Sequence, residues 1–274
     1  MTDRTTAVGS WLLVPALLIA GAPARGQSDD AAALAALAGR YVEEYQNQFA
    51  TILCEERQSQ RIVKKGGTIG RRRELVAEMA MVSFGPQTLL FRDVISVDGK
   101  PVRNREERLR KLFLEPPRDS LSRASSITRE SGRYNLGVTA ILDGMMLPLR
   151  ILSKAEAGRF RFTLTEQGLG FEETRSPTIF KVGLPNSLHD LPLHGWLTIE
   201  AGTGRLRAAT LTASDNRRDW RIEVRYDEHP ELKMLVPAAL QQRYEWKGNL
   251  NRDVLEASST YGQFRRFEVS ATIK

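Results

Sequence analysis

Apolar positions along the chain follow two different periods. From Ser28 to about Gln58, Leu34, Leu37, Tyr41, Tyr45, Phe49, Ile52 and Leu53 recur at steps of three and four, which places them on one face of an amphipathic helix. Ser28, Asp29 and Asp30 supply capping side chains at its start, and Glu43, Glu44 and Gln46 fall off the apolar face. Such a helix needs something apolar to lie on. From Lys64 to Arg73 the pattern breaks into a glycine-rich turn flanked by Lys64, Lys65, Arg71, Arg72 and Arg73. Beyond it the period falls to two: Leu75, Ala77, Met79 and Met81 occupy one face of a strand, and Val76, Ala80, Val82 and Phe84 the other. A second strand, Leu89 to Val97, ends in Asp98-Gly99, a tight-turn signal.

Residues 104–154 return to helical spacing. Asn104 caps a helix with the stripe Leu109, Leu112 and Phe113; Glu107 reaches back to it, and Pro116-Pro117 stops it. A further helix is predicted from Asp119 to Tyr134, broken by Gly137. Another stretch carries Met145, Met146, Leu149 and Leu152, with a kink at Pro148. From Gly158 alternation resumes, with Phe160, Phe162 and Leu164 against Arg159, Arg161 and Thr163, then a short strand from Ile179 to Leu184. Gly195–Ile199 and Arg205–Thr212 flank Ala201-Gly202-Thr203-Gly204 as a hairpin. Trp220, Ile222, Val224 and Tyr226 then alternate with Arg221, Glu223 and Arg225, and two more strands lie near Leu240–Trp246 and Val254–Phe267. Consecutive strands with short turns make an antiparallel meander with one face on a core and one toward solvent. The expected fold class is α+β: residues 27–274 form a single β-rich domain with an N-terminal helix and a helical insert over 104–154.

The first 26 residues fit neither pattern. Arg4 precedes an apolar run from Trp11 to Ala20, and Ala22-Pro23-Ala24 supplies the small residues a signal peptidase needs; a cut after Gly26 satisfies the same rule. Residues 1–26 therefore read as a cleavable signal peptide. The alternative, an uncleaved anchor, is disfavoured by Pro15 and by a run shorter than the roughly 20 residues that span a bilayer. No Arg-Arg pair or lipid-accepting Cys accompanies the run, so the general secretory route to the periplasm or cell envelope is expected. No later segment has the length or apolarity of a membrane-spanning helix.

Composition narrows the partners. Lys and Arg number 40 against 33 Asp and Glu, and the isoelectric point is near 9.7. In an exported protein this excess points to lipid headgroups or anionic envelope polymers; no nucleic-acid-binding motif is present. Cys54 is the only cysteine, so no intramolecular disulfide forms; on the apolar side of the predicted first helix it reads as a buried, inert thiol.

The order Gly195-Trp196-Leu197-Thr198-Ile199, the Gly202–Gly204 turn, the Trp220–Tyr226 strand and Leu235-Val236-Pro237 resembles the later strands of periplasmic lipoprotein carriers and outer-membrane lipoprotein-sorting proteins. The resemblance covers about a third of the mature chain. It implies a curved antiparallel sheet, an unclosed half-barrel, with helices packed on or in its concave face and an apolar cavity that shelters acyl chains. The helical insert over 104–154 has no counterpart there and could fill that cavity. A second resemblance, to a group of uncharacterised exported bacterial proteins, rests on Phe91-Arg92-Asp93-Val94, Val97-Asp98-Gly99, Arg108–Phe113 and Arg133–Gly137, and implies no activity.

Candidate chemistry is sparse. His189, Asp190 and His194 stand close in sequence, but their spacing matches no recognised zinc site even with His229 added. Glu172 and Glu173 are adjacent on an extended segment and so face opposite ways, unlike a glycosidase pair. Gly-x-Ser-x-Gly is absent. The turn at Lys64 lacks the Gly-Lys-Ser/Thr ending of a phosphate loop and precedes a strand. No catalytic residue, metal site or cofactor is assigned. Two sets remain. Met79, Met81, Phe160, Phe162, Trp220, Ile222, Val224 and Tyr226 form the inward apolar face, either core or ligand lining. Lys64, Lys65, Arg71, Arg72 and Arg73 are candidates for contact with an anionic membrane surface, as are Arg217-Arg218 and Arg265-Arg266 with less force. The leading reading is a non-catalytic envelope protein that binds an acyl chain, lipid or lipidated partner. The alternative is a protein-interaction module with a helix-filled core, and a periplasmic hydrolase stands third.

Overall fold

The computed structural model describes residues 25–84, 87–107, 127–137, 144–184, 187–247 and 253–266. Residues 1–24, nearly all of the expected signal peptide, and the insert residues 108–126 and 138–143 lie outside this set, and with them most of the helix expected after Asn104. The chain enters through helix α1 (Arg25–Phe49) and passes at once into strands β1 (Ile52–Val63), β2 (Ile69–Phe84), β3 (Gln87–Val97) and β4 (Lys100–Pro101). A helical segment over 127–132 and helix α2 (Leu147–Leu152) follow. Nine more strands complete the described fold: β5 (Phe160–Thr165), β6 (Gly168–Glu173), β7 (Lys181–Leu184), β8 (Ser187–Asp190), β9 (Leu193–Ile199), β10 (Leu206–Ser214), β11 (Arg218–His229), β12 (Met234–Trp246) and β13 (Val254–Arg266).

Eleven of these strands form one sheet in the order β4-β3-β2-β1-β13-β12-β11-β10-β9-β6-β5, every pairing antiparallel. The chain's last described strand thus pairs with its first, which closes the meander into one continuous sheet. The outer strands β4 and β5 do not pair with each other, so the sheet stays open. Helix α1 touches β5 and β6 near one edge and β2 near the other. The architecture is the α+β fold expected, an unclosed curved sheet around helices.

Alternation sets the two faces. Arg218, Trp220, Ile222, Val224 and Tyr226 of β11 are buried on the concave side, while Arg221 and Arg225 face out, paired with Glu223 and Asp227. The convex side continues with Arg61–Glu256 and Arg243–Glu256 pairs. Such exposed pairs add solubility more than stability.

Several sequence expectations need correction. The first helix ends at Phe49 instead of running to Gln58, and it starts at Arg25, upstream of the expected caps. Ile52, Leu53 and Cys54 belong to β1, and Cys54 is buried on a strand. The reason lies in Glu56, Gln58 and Gln60, which are buried on the concave side: a strand whose inward positions are polar shows no apolar alternation. Pro148 starts α2 near its first turn, where a missing N–H costs nothing, and so does not kink it. The turn after β1 spans only Lys64–Thr68; Arg71, Arg72 and Arg73 lie within β2. Strands β4 and β8 were not anticipated, and β6 only as the extended segment at Glu172 and Glu173.

Candidate functional site

The concave face is the structural feature that could hold a ligand, and cross-strand register assembles it row by row. Trp220 stands opposite Ala213 on β10 and Tyr244 on β12; Ile222 stands opposite Leu211 and Gln242; Val224 stands opposite Ala209 and Leu240. The rows continue through Leu197 of β9 to Leu169 of β6, and Phe171 of β6 faces Phe162 of β5. Each row buries the residue that alternation aims inward, and the short hairpins hold the register. Gly195, with φ of 152°, lets β9 approach β10: a Cβ there would sit 2.0 Å from the Thr210 carbonyl oxygen.

Seven of the eight residues expected on the inward apolar face, Met79, Met81, Phe160, Trp220, Ile222, Val224 and Tyr226, lie in one buried cluster, with Phe162 half-buried against it. Helices α1 and α2 cover that cluster. From α1 come Ala31, Ala38, Val42, Tyr45 and Phe49, and from α2 Leu147, Leu149, Ile151 and Leu152. Tyr45 stacks on Phe49 at 5.5 Å and meets Tyr226 edge-on at 6.2 Å. The Tyr226 hydroxyl donates to the Met145 carbonyl at 3.0 Å, which ties the turn before α2 to the sheet. Burial raises the Tyr45 and Tyr226 hydroxyls above the ordinary phenol range and pushes the Cys54 thiol up to about 12. Three surface hollows of about 700, 540 and 480 Å³ are lined by polar and apolar side chains together, and none includes a member of the eight-residue set.

On β1 and β3 part of the same face is polar, at Glu56, Gln58, Gln60 and Arg92. Arg92 Nε donates to Glu56 Oε2 at 2.7 Å, both side chains being almost wholly buried, and the Tyr261 hydroxyl donates to Glu56 Oε1 at 3.2 Å. Arg92 also reaches Gln58, whose amide donates to Ser259 at 3.0 Å. The segment 127–137 is bonded over this zone: Ser131 donates to the Arg92 carbonyl, Thr128 to that of Leu90, and the Leu136 N–H to Gln60 Oε1. Arg105 binds both Asp93 and Glu78 at its margin. The network pairs Arg92 Nε and Nη2 and leaves its Nη1 buried without a partner among the described residues, and it resembles a structural clasp more than a reactive centre.

The basic set divides. Lys64, Lys65, Arg71 and Arg72 are exposed around the Gly66-Gly67 turn, where φ is 90° and 83°. Arg73 turns inward, donating to the Tyr134 carbonyl at 2.7 Å and pairing with Asp98. Arg265 pairs with Glu78. Arg217 is exposed, whereas Arg218 is buried on the concave side.

His189 and Asp190 lie on β8. His194 lies exposed on β9, and His229 sits at the far end of β11, its Nδ1 accepting from the Leu232 N–H and its ring edge-on to Phe264. Although burial works against it, hydrogen bonds from the Thr178 N–H, Lys181 and Ser176 hold the Asp190 carboxyl below the usual range. Glu172 pairs with Arg161 on the outside, while buried Glu173 accepts from the backbone N–H of Ile179 and Leu193. Among the described residues no three His, Cys, Asp or Glu side chains are grouped to hold a metal ion, and no helix is long and apolar enough to cross a membrane. Sequence reasoning missed the buried Glu56–Arg92 clasp and the inward turn of Arg218. Only the period-two spacing of Arg218 from Trp220 could have signalled the latter.

No protein-family model matches the chain, and no curated protein matches it. Among solved structures, a DUF1329 family protein from Desulfovibrio piger aligns over 89% of this chain and 95% of its own, at 10% identity and a TM-score of 0.37. Lipovitellin, in a structure concerned with its lipid–protein interactions, aligns over 82% of this chain at 8% identity and a TM-score of 0.31; the alignment spans 26% of lipovitellin.

Proposed function

We propose that the protein is a non-catalytic, exported envelope protein that takes an acyl chain, or the acyl group of a lipidated partner, against the concave face of its sheet when α1 moves aside. The carrying observation is the construction of that face: an apolar surface continuous from β5 to β12, covered by an amphipathic helix that joins the sheet through Ala50 and Thr51 alone. The magnitudes permit exchange. Val42, Tyr45 and Phe49 contribute about 5–9 kcal/mol by burial, at about 1.5–3 kcal/mol each. A 16-carbon chain gains about 12 kcal/mol gross at about 0.8 kcal/mol per methylene. The two covers are comparable, as reversible loading requires. Export is part of this proposal and is supported by the pattern of residues 1–26.

A second reading, an interaction module with no small ligand, is favoured by α2, which puts Leu147, Leu149, Ile151 and Leu152 into the same buried cluster. Mass spectrometry of organic extracts separates the two, using the full chain expressed with its leader and purified without detergent from a periplasmic fraction. A lipid at near-stoichiometric amount supports the acyl reading. A lipid-free protein that also fails to take up oleate refutes it and leaves the module.

A further inference from the structure

Three side chains stand at one end of the apolar face with donor atoms that meet no hydrogen-bond partner among the described residues. Arg218 is 7% exposed, and its Nε and Nη1 atoms are buried without a hydrogen-bond partner. The Tyr244 hydroxyl and the Trp220 indole Nε1 are likewise buried and unpartnered. Register brings them together, because Trp220 is directly opposite Tyr244, their rings 4.8 Å apart, and Arg218 begins the same inward row. The guanidinium lies 5.3 Å from the ring of Trp246, which is exposed at the mouth of the trough. Phe180 closes the inner side edge-on to Trp220 at 5.1 Å.

The contrast with Arg92 is informative. That guanidinium, also buried, holds Glu56 at 2.7 Å. Arg218 makes no ion pair among the described residues, although Asp215 lies near enough to act on Tyr244, and a buried charge without a partner is costly to keep. Indole N–H and guanidinium only donate, and the phenol can, so the missing group is an acceptor and an anion. The wider field agrees. Ile62 aligns through Leu255 with Tyr244 and Trp220, so the exposed Lys64, Lys65, Arg71 and Arg72 stand at the same end of the sheet as Arg218 and the exposed Arg217. A positive rim of this kind draws anions toward the mouth.

We infer that Arg218, Tyr244 and Trp220 form a subsite for the anionic oxygen head, carboxylate or phosphate, of an amphiphile whose chain lies along the concave face. The inference rests on the acyl-binding reading and adds to it the polarity and orientation of the ligand: head at the Arg218 end, tail toward Tyr45 and Phe49.

The test titrates the full chain with oleate, 1-oleoyl lysophosphatidate, oleyl alcohol and inorganic phosphate, read by tryptophan fluorescence, and repeats each titration on Arg218→Met and Tyr244→Phe. Wild type should bind at least one of the two anionic amphiphiles about 10-fold or more tighter than the alcohol, the gain of one charge-assisted contact. Preference for oleate identifies a carboxylate head, and preference for lysophosphatidate a phosphate. Arg218→Met should abolish that preference, by weakening the anionic amphiphile toward the affinity of the alcohol, and unfold at no lower temperature; Tyr244→Phe should lower the preference in part. Equal binding of all three amphiphiles by wild type overturns the subsite and leaves the acyl reading standing. Binding of inorganic phosphate alone overturns the amphiphile. An Arg218→Met variant that melts earlier and keeps the preference makes Arg218 a structural residue. If no amphiphile binds wild type, the acyl reading fails and the subsite with it.

Discussion

Gly39→Leu tests whether α1 is a cover that lifts. A Cβ on Gly39 would lie 3.0 Å from the carbonyl oxygen of Leu152, the last residue of α2, where ordinary contact begins near 3.4 Å. Alanine alone would push the two helices apart by a few tenths of an ångström, and leucine by more. Overpacking of this kind costs about 1–3 kcal/mol. Leucine also favours the helix over glycine by about 0.8 kcal/mol, but a helix keeps that gain whether seated or lifted, so it cancels between the two states. Opening therefore becomes easier by the full 1–3 kcal/mol or so, while resistance to global unfolding falls by only about 0–2 kcal/mol. If binding requires the lifted state and that state is rare, the apparent Kd for oleate tightens by about 5- to 150-fold. Cleavage after the exposed Arg40 by trypsin accelerates over the same range. Tryptophan fluorescence titration and a proteolysis time course read the two effects. A variant that melts earlier while binding oleate no better than wild type refutes the idea that α1 gates the concave face.

Other consequences follow from the same geometry. Arg92→Met leaves Glu56 buried without its cation and should cost about 3–5 kcal/mol in urea unfolding; Glu56→Gln added to it should restore most of that, and equal losses in the single and double variants would show that the pair is not coupled. Alkaline pH should destabilise the fold: Cys54 and Tyr244 are pushed up to about 12, chiefly by burial, so the native state holds protons that the unfolded chain releases from about pH 9 upward. Stability is full below that point and falls toward pH 12 by about 1.4 kcal/mol per pH unit for each titrating group; a denaturation midpoint constant from pH 8 to 11 would contradict this. Lys64→Glu with Lys65→Glu should weaken co-sedimentation with phosphatidylglycerol vesicles by about 10-fold or more, at about 1 kcal/mol per cation, without changing the melting temperature. Unaltered sedimentation at low salt would remove the hairpin from membrane contact.

The later strands were legible because their inward positions are apolar and their outward ones charged: Trp220 to Tyr226 against Arg221 to Arg225 leaves one choice of face. The opposite holds for β1. Its inward residues Glu56, Gln58 and Gln60 are satisfied by Arg92, Ser259, Asn135 and a backbone N–H, partners from β3, β13 and the insert that no local window contains. Ile52 and Leu53 could then be counted with the helix before them. Strand β6 was hidden by Gly168 and Gly170, which lack side chains because Leu197 and two threonines crowd them. At the candidate site, the apolar set could be gathered from alternation, but its cover could not. Only the fold shows that α1 touches both β5 and β2, and that Arg218 and Arg73 turn inward while Arg71 and Arg72 stay outside.

The concave face has two halves that differ in how their covers are held, and this difference decides which cover can move. Over β1–β3, the segment 127–137 is fixed by directional bonds from Thr128, Ser131 and Leu136, and lifting it would strand the buried acceptors and donors of Arg92, Gln60 and their neighbours. Each group so stranded costs about 1–3 kcal/mol. Over β5–β12, α1 is held chiefly by Ala31, Ala38, Val42, Tyr45 and Phe49, contacts with no direction that another apolar surface can replace. A ligand with a hydrocarbon chain can therefore substitute for α1 at little net cost, and nothing of comparable simplicity can substitute for the polar clasp. On the proposed reading the clasp would hold β1, β3 and β13 together while α1 moves, with Arg218 at the mouth of the half that opens.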